Sequence, residues 1–319
     1  MRGLLKPVFD DLRVGCLKCF LDAVKSDDTL CLEIRENYIN IYYRGGNLYR
    51  INPNKGLLYD IHFDMEYCKH NVNILSIFNP ANFNLLKGSI NYDEYVKLIP
   101  ALKMEMDLYF KEHGKNEREY QQLVLRENSY SGSEVNGNGV SKDTDYFIID
   151  IEYANTINNS RFDMVAVKWL STATERRSSQ NVSLAFIEMK YADSAHSGAA
   201  GIKKHFVDMD KFATPQNLSG LYSEMETIFN QKRKLGLIIG VDKDLKFNIT
   251  KKPEFIILAS NHKPQKSVFK RELSAADALV PTLKNNVDIK IAMASNMGYG
   301  LYAEYMLNLD TYLKVVSEI

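Results

Sequence analysis

The sequence predicts an α/β protein: a mixed central sheet flanked by helices, preceded by an N-terminal module of one helix and an antiparallel β-meander. Three observations carry this prediction. Apolar residues alternate with period two between Leu30 and Phe63, as they do on half-buried strands. Three strand-like runs follow one another closely between Tyr146 and Tyr191. From Ser197 onward, helical and strand-like segments alternate. The division these patterns suggest is an N-terminal α+β module over residues 1–112 and a larger domain over 113–319.

Taken in order, residues 8–26 show helical spacing, with Val14, Leu17, Leu21 and Val24 on one side. The period then switches through Leu32, Ile34, Ile39, Ile41 and Tyr43. Arg44-Gly45-Gly46-Asn47 is a hairpin turn, because paired glycines accept the positive φ that tight turns require. Asn52-Pro53-Asn54-Lys55-Gly56 closes the meander, and residues 92–112 are helical again. A fresh helix starts at Lys115–Glu119 with Asn116 as N-cap and runs to about Asn128, before the Ser/Gly/Asn-rich loop Ser129–Val140. Strands follow at Tyr146–Tyr153, Phe162–Leu170 and Val182–Tyr191. Ser197-Gly198-Ala199-Ala200-Gly201 opens a helix with Ile202, Phe206 and Met209 inward. A helix at Tyr222–Lys234, strands at Leu235–Val241 and Glu254–Ser260, a helix at Ala275–Lys284, a strand at Asp288–Ser295 and a last helix complete the chain. No internal repeat is present.

Composition sets the bounds. The 319 residues suffice for one large domain or two small ones, and 25% charged with 45% hydrophobic residues is ordinary for a globular protein. Lys+Arg and Asp+Glu both number 40, so any electrostatic attraction to nucleic acid rests on a local patch. No run of about 18 apolar residues suggests a transmembrane helix, and no membrane partner is expected. Met1-Arg2-Gly3-Leu4-Leu5-Lys6-Pro7 leads into acids rather than an apolar run, which argues against a secretory signal. Cys16 and Cys19 form a lone CxxC inside a helical pattern, beside Cys31 and Cys68. With no second pair at zinc-like spacing, a reduced, partly buried pair in a cytoplasmic protein is the favoured reading.

Phe162-Asp163 and Phe186-Ile187-Glu188-Met189-Lys190 carry the chemistry. Folding the segment about Ser171–Asn181 gives a register nearly symmetric about Arg176, which sets Asp163 opposite Met189 and within one residue of Glu188 and Lys190. Side chains two apart on a strand share a face, so Glu188 and Lys190 project together. Two acids and a lysine at one end of a sheet suit a divalent cation and phosphodiester hydrolysis. Mg²⁺, with Mn²⁺ as substitute, would be held by Asp163, Glu188 and the Met189 carbonyl. Lys190, kept protonated by its acidic neighbour, would orient water and stabilise developing negative charge. The competing reading is a cross-strand salt bridge on a solvated face.

Other residues are candidates by position. Glu117 lies three residues before Tyr120 on a helix whose inward stripe reads Tyr120, Leu123 and Val124, with Glu119 on the other flank as reserve; both equally suit the helix dipole. Glu152 falls opposite Asp163 if its strand pairs about Asn158. Arg176 and Arg177 form a phosphate clamp or a solvated loop. Lys203 and Lys204, at a helix start, are placed to touch a nucleic-acid backbone, whereas His205 reads as structural. The six histidines show no metal-ligand spacing, and Gly137/Gly139 and Gly298/Gly300 do not join a strand to a helix as a dinucleotide fingerprint does.

With these residues in place, the chain resembles the PD-(D/E)xK nuclease superfamily, whose core runs helix, three strands, helix, strand. Phe162-Asp163 resembles its first acidic motif and Glu188-Met189-Lys190 its (D/E)xK motif, over roughly residues 115–260. Phe-Ile-Glu-Met-Lys is similar to the third strand of archaeal Holliday-junction resolvases, and Glu117-Arg118 occupies the place of their Glu-Arg pair. Two departures stand out: Phe162 where Pro is common, and the long connection at Ser171–Asn181. The resemblance implies a restriction-endonuclease-like core and Mg²⁺-dependent hydrolysis of nucleic acid, DNA before RNA, in restriction, repair or defence. A homodimer is implied where both strands are cut. The alternative is a nuclease fold without catalysis that binds nucleic acid or protein.

Overall fold

The structure, a computed structural model, describes residues 1–54, 58–68, 91–114, 116–129, 144–154, 160–178, 181–239, 241, 243–261, 268–294 and 298–315. Its elements run α1 (Lys6–Arg13), α2 (Lys18–Ser26), β1 (Leu30–Ile34), β2 (Ile39–Tyr43), β3 (Gly46–Pro53), β4 (Tyr59–His62), α3 (Tyr92–Glu112) and α4 (Asn116–Glu127). They continue β5 (Tyr146–Ala154), β6 (Arg161–Lys168), α5 (Ala173–Arg176), β7 (Ser183–Tyr191), α6 (Ile202–Phe212) and α7 (Pro215–Lys234). The last are β8 (Glu254–Ser260), α8 (Phe269–Leu279), α9 (Leu283–Asn286), β9 (Asp288–Ala294), β10 (Leu307–Asn308) and α10 (Leu309–Val315). Lys115, Gly137, Gly139, Asn158 and all of the loop Ser129–Val140 beyond Ser129 lie outside the described residues. Among the described residues no helix is long and apolar enough to cross a membrane.

The chain divides into two compact units. The first holds, among the described residues, 1–122 and 231–239. Its sheet is the expected meander, four antiparallel strands in the order β1-β2-β3-β4. Phe20 and Tyr49 meet edge to face at 5.8 Å in its core, and the Tyr49 hydroxyl donates to Tyr95 O at 2.9 Å. The division falls after Gln122 rather than after residue 112 because the first turns of α4 bind the β2–β3 turn. Glu119 accepts from Arg44 Nε and Nη2, both at 2.9 Å, while Asp107 accepts from Nη1 at 2.7 Å. Gly45, at φ 72°, packs so closely on α4 that an added Cβ would collide with the Arg118 carbonyl.

Three expectations for this unit need correction. The single helix over 8–26 is two, because α1 closes at Val14 and Gly15, whose N–H groups both donate to Asp10 O. Val14 is consequently 69% exposed, while Leu17, Leu21 and Val24 are buried. The buried stripe of α4 reads Gln121, Gln122, Val124 and Leu125, with Tyr120 and Leu123 only half-buried, and Gln122 turns inward to accept from Gly45 N and donate to Thr29 O at 2.8 Å. No strand forms among the described residues of 235–241. Instead Gly236, at φ 72°, ends α7 with Leu237 N donating to Lys232 O at 2.9 Å, and Leu235, Leu237 and Ile238 are buried in the turn. A short apolar run does not by itself distinguish a strand from a buried turn.

The second unit holds 123–129, 144–230 and 241–315 among the described residues. Its six-stranded mixed sheet runs β10-β9-β8-β7-β6-β5. Strands β5, β6 and β7 pair antiparallel, β7, β8 and β9 parallel, and β10 antiparallel to β9. β7 is central and buried along all but its last residue, as an apolar strand covered on both faces should be. Phe162, Phe186 and Phe212 meet with ring centroids 4.8–5.7 Å apart, fixing α6 on the sheet. α7 begins at Pro215, earlier than the expected Tyr222, since proline's fixed φ suits a first helical turn. The helix expected at Ala275–Lys284 lies at Phe269–Leu279.

Glu33 and Lys232, both buried in the first unit, pair at 2.8 Å. Lys232→Ala should therefore lower unfolding stability by about 3 kcal/mol, by stranding a buried carboxylate. The double replacement Glu33→Leu/Lys232→Met should recover most of that loss in urea titrations.

Candidate active site

Strands β6 and β7 pair from Met164↔Ile187 to Lys168↔Ser183. Extended one step, this register brings Asp163 level with Glu188, not Met189. The symmetric hairpin is the wrong picture because the connection contains the helical turn α5, started by Thr172, which shifts the midpoint by half a residue. Asp163 lies just beyond the last ladder pair, and Met189 N donates to its Oδ2 at 2.8 Å. In an extended strand the N–H and C=O of one residue face the same neighbour. The Met189 carbonyl therefore faces the Asp163 side as well.

Glu188 and Lys190 share one side of β7, and Lys190 Nζ donates to Glu188 Oε1 at 2.8 Å. Both are almost fully buried, at 1% and 3% exposure. They sit at the carboxyl end of a strand parallel to β8, the end of an open α/β sheet where ligands bind. A second buried acid provides a contrast. Glu254, at the amino end of β8, receives the Tyr146 hydroxyl on Oε2 at 2.6 Å and Lys168 on Oε1 at 2.7 Å, one donor to each oxygen. At Glu188 the neighbours converge on Oε1: Lys190 at 2.8 Å and His205 Nε2 at 3.0 Å.

His205 is the residue that sequence reasoning assigned to structure alone. It lies three residues after Ile202 and four before Met209, on the buried side of α6, and that spacing was a legible signal. Its Nε2 also lies 3.1 Å from Ala200 O. Burial, and then the neighbouring Lys190 charge, push the imidazole down to about 4, against the opposing pull of Asp163. The ring is neutral at neutral pH, and it senses Lys190 and Asp163 together.

The remaining candidates divide. Glu152 falls opposite Asp163, between the pairs Ile151↔Met164 and Tyr153↔Phe162, as the sequence suggests. Glu117 and Glu119 are on the first turn of α4, in the first unit, whereas Asp163, Glu188 and Lys190 are in the second. Glu119 is engaged by Arg44. Arg176 and Arg177 lie in the connection at the Lys168/Ser183 end of the hairpin, the end opposite to Asp163. Five residues of strand put them about 17 Å away, so they cannot clamp a phosphate at that site. Arg176 instead donates from Nε to Leu170 O at 3.1 Å, with its guanidinium over the Trp169 ring. Arg177 is exposed. Lys203 pairs with Glu272 at 3.2 Å and Lys204 with Asp208, so both are partly neutralised.

Backbone strain gathers at the same end of the sheet. Glu152 (φ 50°), Ala192 (φ 60°) and Asn261 (φ 50°) are the non-glycine residues with positive φ among those described in the second unit. Glu152 faces Asp163, Ala192 follows Lys190 by two residues, and Asn261 follows Ser260, the partner of Tyr191. Ala192, at ψ 169°, occupies a region essentially reserved for glycine. It is held there by its N–H, which donates to Ser260 O at 2.8 Å.

Two carboxylates and a main-chain carbonyl form a hard oxygen set, which suits Mg²⁺ because that ion keeps several positions for water and substrate oxygens. Among the described residues no three His, Cys, Asp or Glu side chains come together as a metal-ligand group. A cation held there would take Asp163, Glu188 and the Met189 carbonyl and leave the rest of its shell to water and substrate oxygens. Comparison of the chain with protein-family models, curated proteins and solved structures finds no match.

The cysteines are free thiols. Burial, and then Asp93, push Cys19 up to about 11, while burial and Asp11 raise Cys16. A raised pKa keeps the thiol protonated through neutral pH. Iodoacetamide should therefore label Cys19 slowly at pH 7–8 and quickly only as the pH approaches 11, and Asp93→Asn should move that rise to lower pH. Ala192→Gly, which removes the strain, should raise stability by about 1 kcal/mol in urea unfolding.

Proposed function

We propose that this chain is a metal-dependent nuclease that hydrolyses nucleic-acid phosphodiester bonds, acting on DNA in preference to RNA. The observation that carries the reading is the meeting of Asp163, the Met189 main chain and the Glu188–Lys190 pair where β6 and β7 part. A divalent cation bound there would supply Lewis acidity and lower the pKa of an attacking water. Asp163 and Glu188 provide the carboxylate oxygens, fixed by the Met189 N–H and by Lys190. Lys190, a charge on a flexible stem, is suited to turn from Glu188 toward a nonbridging phosphate oxygen and stabilise its developing charge. The preference for DNA, a homodimer for two-strand cutting and a role in restriction, repair or defence follow from the resemblance to PD-(D/E)xK nucleases, and a cytoplasmic setting suits the free cysteines.

A second reading has its own support. Lys190 closes on Glu188, and no third acidic side chain completes a ligand group among the described residues, as expected of a nuclease fold that binds nucleic acid or protein without cutting.

Plasmid, linear duplex and RNA substrates with Mg²⁺ or Mn²⁺ separate the two. Asp163→Asn, Glu188→Gln and Lys190→Met should each reduce cleavage at least about a hundredfold, with the circular-dichroism spectrum unchanged. EDTA should abolish cleavage. Mg²⁺ affinity that is the same in wild type and Asp163→Asn, with no cutting of any substrate, would establish the binding module instead.

A further inference from the structure

We infer that His205 is a positioning residue that holds Glu188 in place when Lys190 turns to the substrate. The inference rests on the nuclease reading and concerns the step that reading requires. Turning Lys190 toward a phosphate oxygen draws its ammonium away from Glu188, which it now meets at 2.8 Å. When it leaves, a carboxylate with 1% exposure loses a charged donor, and a buried charge without compensation is costly. That loss is smaller if another donor already stands beside the same oxygen.

His205 does. Its Nε2 lies 3.0 Å from Glu188 Oε1 and 3.1 Å from Ala200 O. Both neighbours are acceptors, which assigns the ring proton to Nε2 and makes that N–H available to either oxygen. Nδ1 is buried with no hydrogen-bond partner, so Nε2 is the polar anchor of the ring.

The surroundings keep this donor in register. Ile202, Phe206 and Met209 bury the same face of α6, and Phe206 meets Phe255 of β8 at 5.4 Å. Lys203 and Lys204, next in sequence, are directed instead to Glu272 and Asp208. A donor on a rigid helix beside the carboxylate of a (D/E)xK motif orients the ligand, as outer-shell partners do at metal sites.

Mn²⁺ binding measured by calorimetry tests this without relying on turnover. His205→Ala and the volume-keeping His205→Phe both remove the donor; His205→Gln returns an amide N–H. Loss of the donor should weaken Mn²⁺ binding by about tenfold or more and lower kcat with little change in KM for duplex DNA, while His205→Gln recovers most of both. Wild-type Mn²⁺ affinity in folded His205→Phe, or a defect that His205→Gln does not relieve, overturns the inference. Failure of the wild-type protein itself to bind Mn²⁺, or binding unaffected by Asp163→Asn, overturns the metal reading and this inference with it.

Discussion

The second unit is organised around an ion pair in the least hospitable place for one. Glu188 and Lys190 lie on the central strand of a six-stranded sheet, where Phe186, Ile187 and Met189 beside them are apolar and buried. Desolvating two ions costs several kcal/mol each, and an apolar pair of similar volume would serve stability as well or better. The pair lies at the carboxyl end of β7, beside the point where β6 leaves the ladder. Asp163 occupies that point and takes the Met189 N–H in place of a main-chain partner. The backbone strain at Glu152, Ala192 and Asn261 lies around the same spot, consistent with a site over-determined by its surroundings.

Three other acids, Glu254 and Glu33 buried and Glu119 half-buried, show charges paired for structure. Glu254 has one donor on each oxygen and ties β8 to β5 and β6. Glu33 meets Lys232 and ties α7 to the meander within the first unit. Glu119 spans the Arg44 guanidinium through both oxygens, an arrangement whose geometry is itself the function. Glu188 alone gathers a lysine and a neutral histidine on a single oxygen, beside a second carboxylate.

Much of the fold was legible from periodicity. The meander, the three strands from Tyr146 to Tyr191 and the alternation after them form largely where the patterns place them. The misreadings share a cause. Residues 8–26 keep one helical stripe across a real break at Gly15, because the chain resumes with its apolar residues nearly in phase. Leu235–Val241 looks like a strand, yet Gly236 folds it into the end of α7. Local hydrophobicity reports burial, not the geometry by which burial is reached.

That Asp163, Glu188 and Lys190 lie together at one end of the sheet was legible in the sequence, since an acid and an ExK triplet at the ends of apolar runs leave few places for such charges. Their register was not. A one-residue slip separates the symmetric hairpin from the observed ladder, and the helical turn in the connection accounts for it. That Arg176 is remote and His205 adjacent also waited on the tertiary structure. The first follows from strand length and the second from α6 docking on the sheet, and docking depends on contacts between segments that no local pattern encodes.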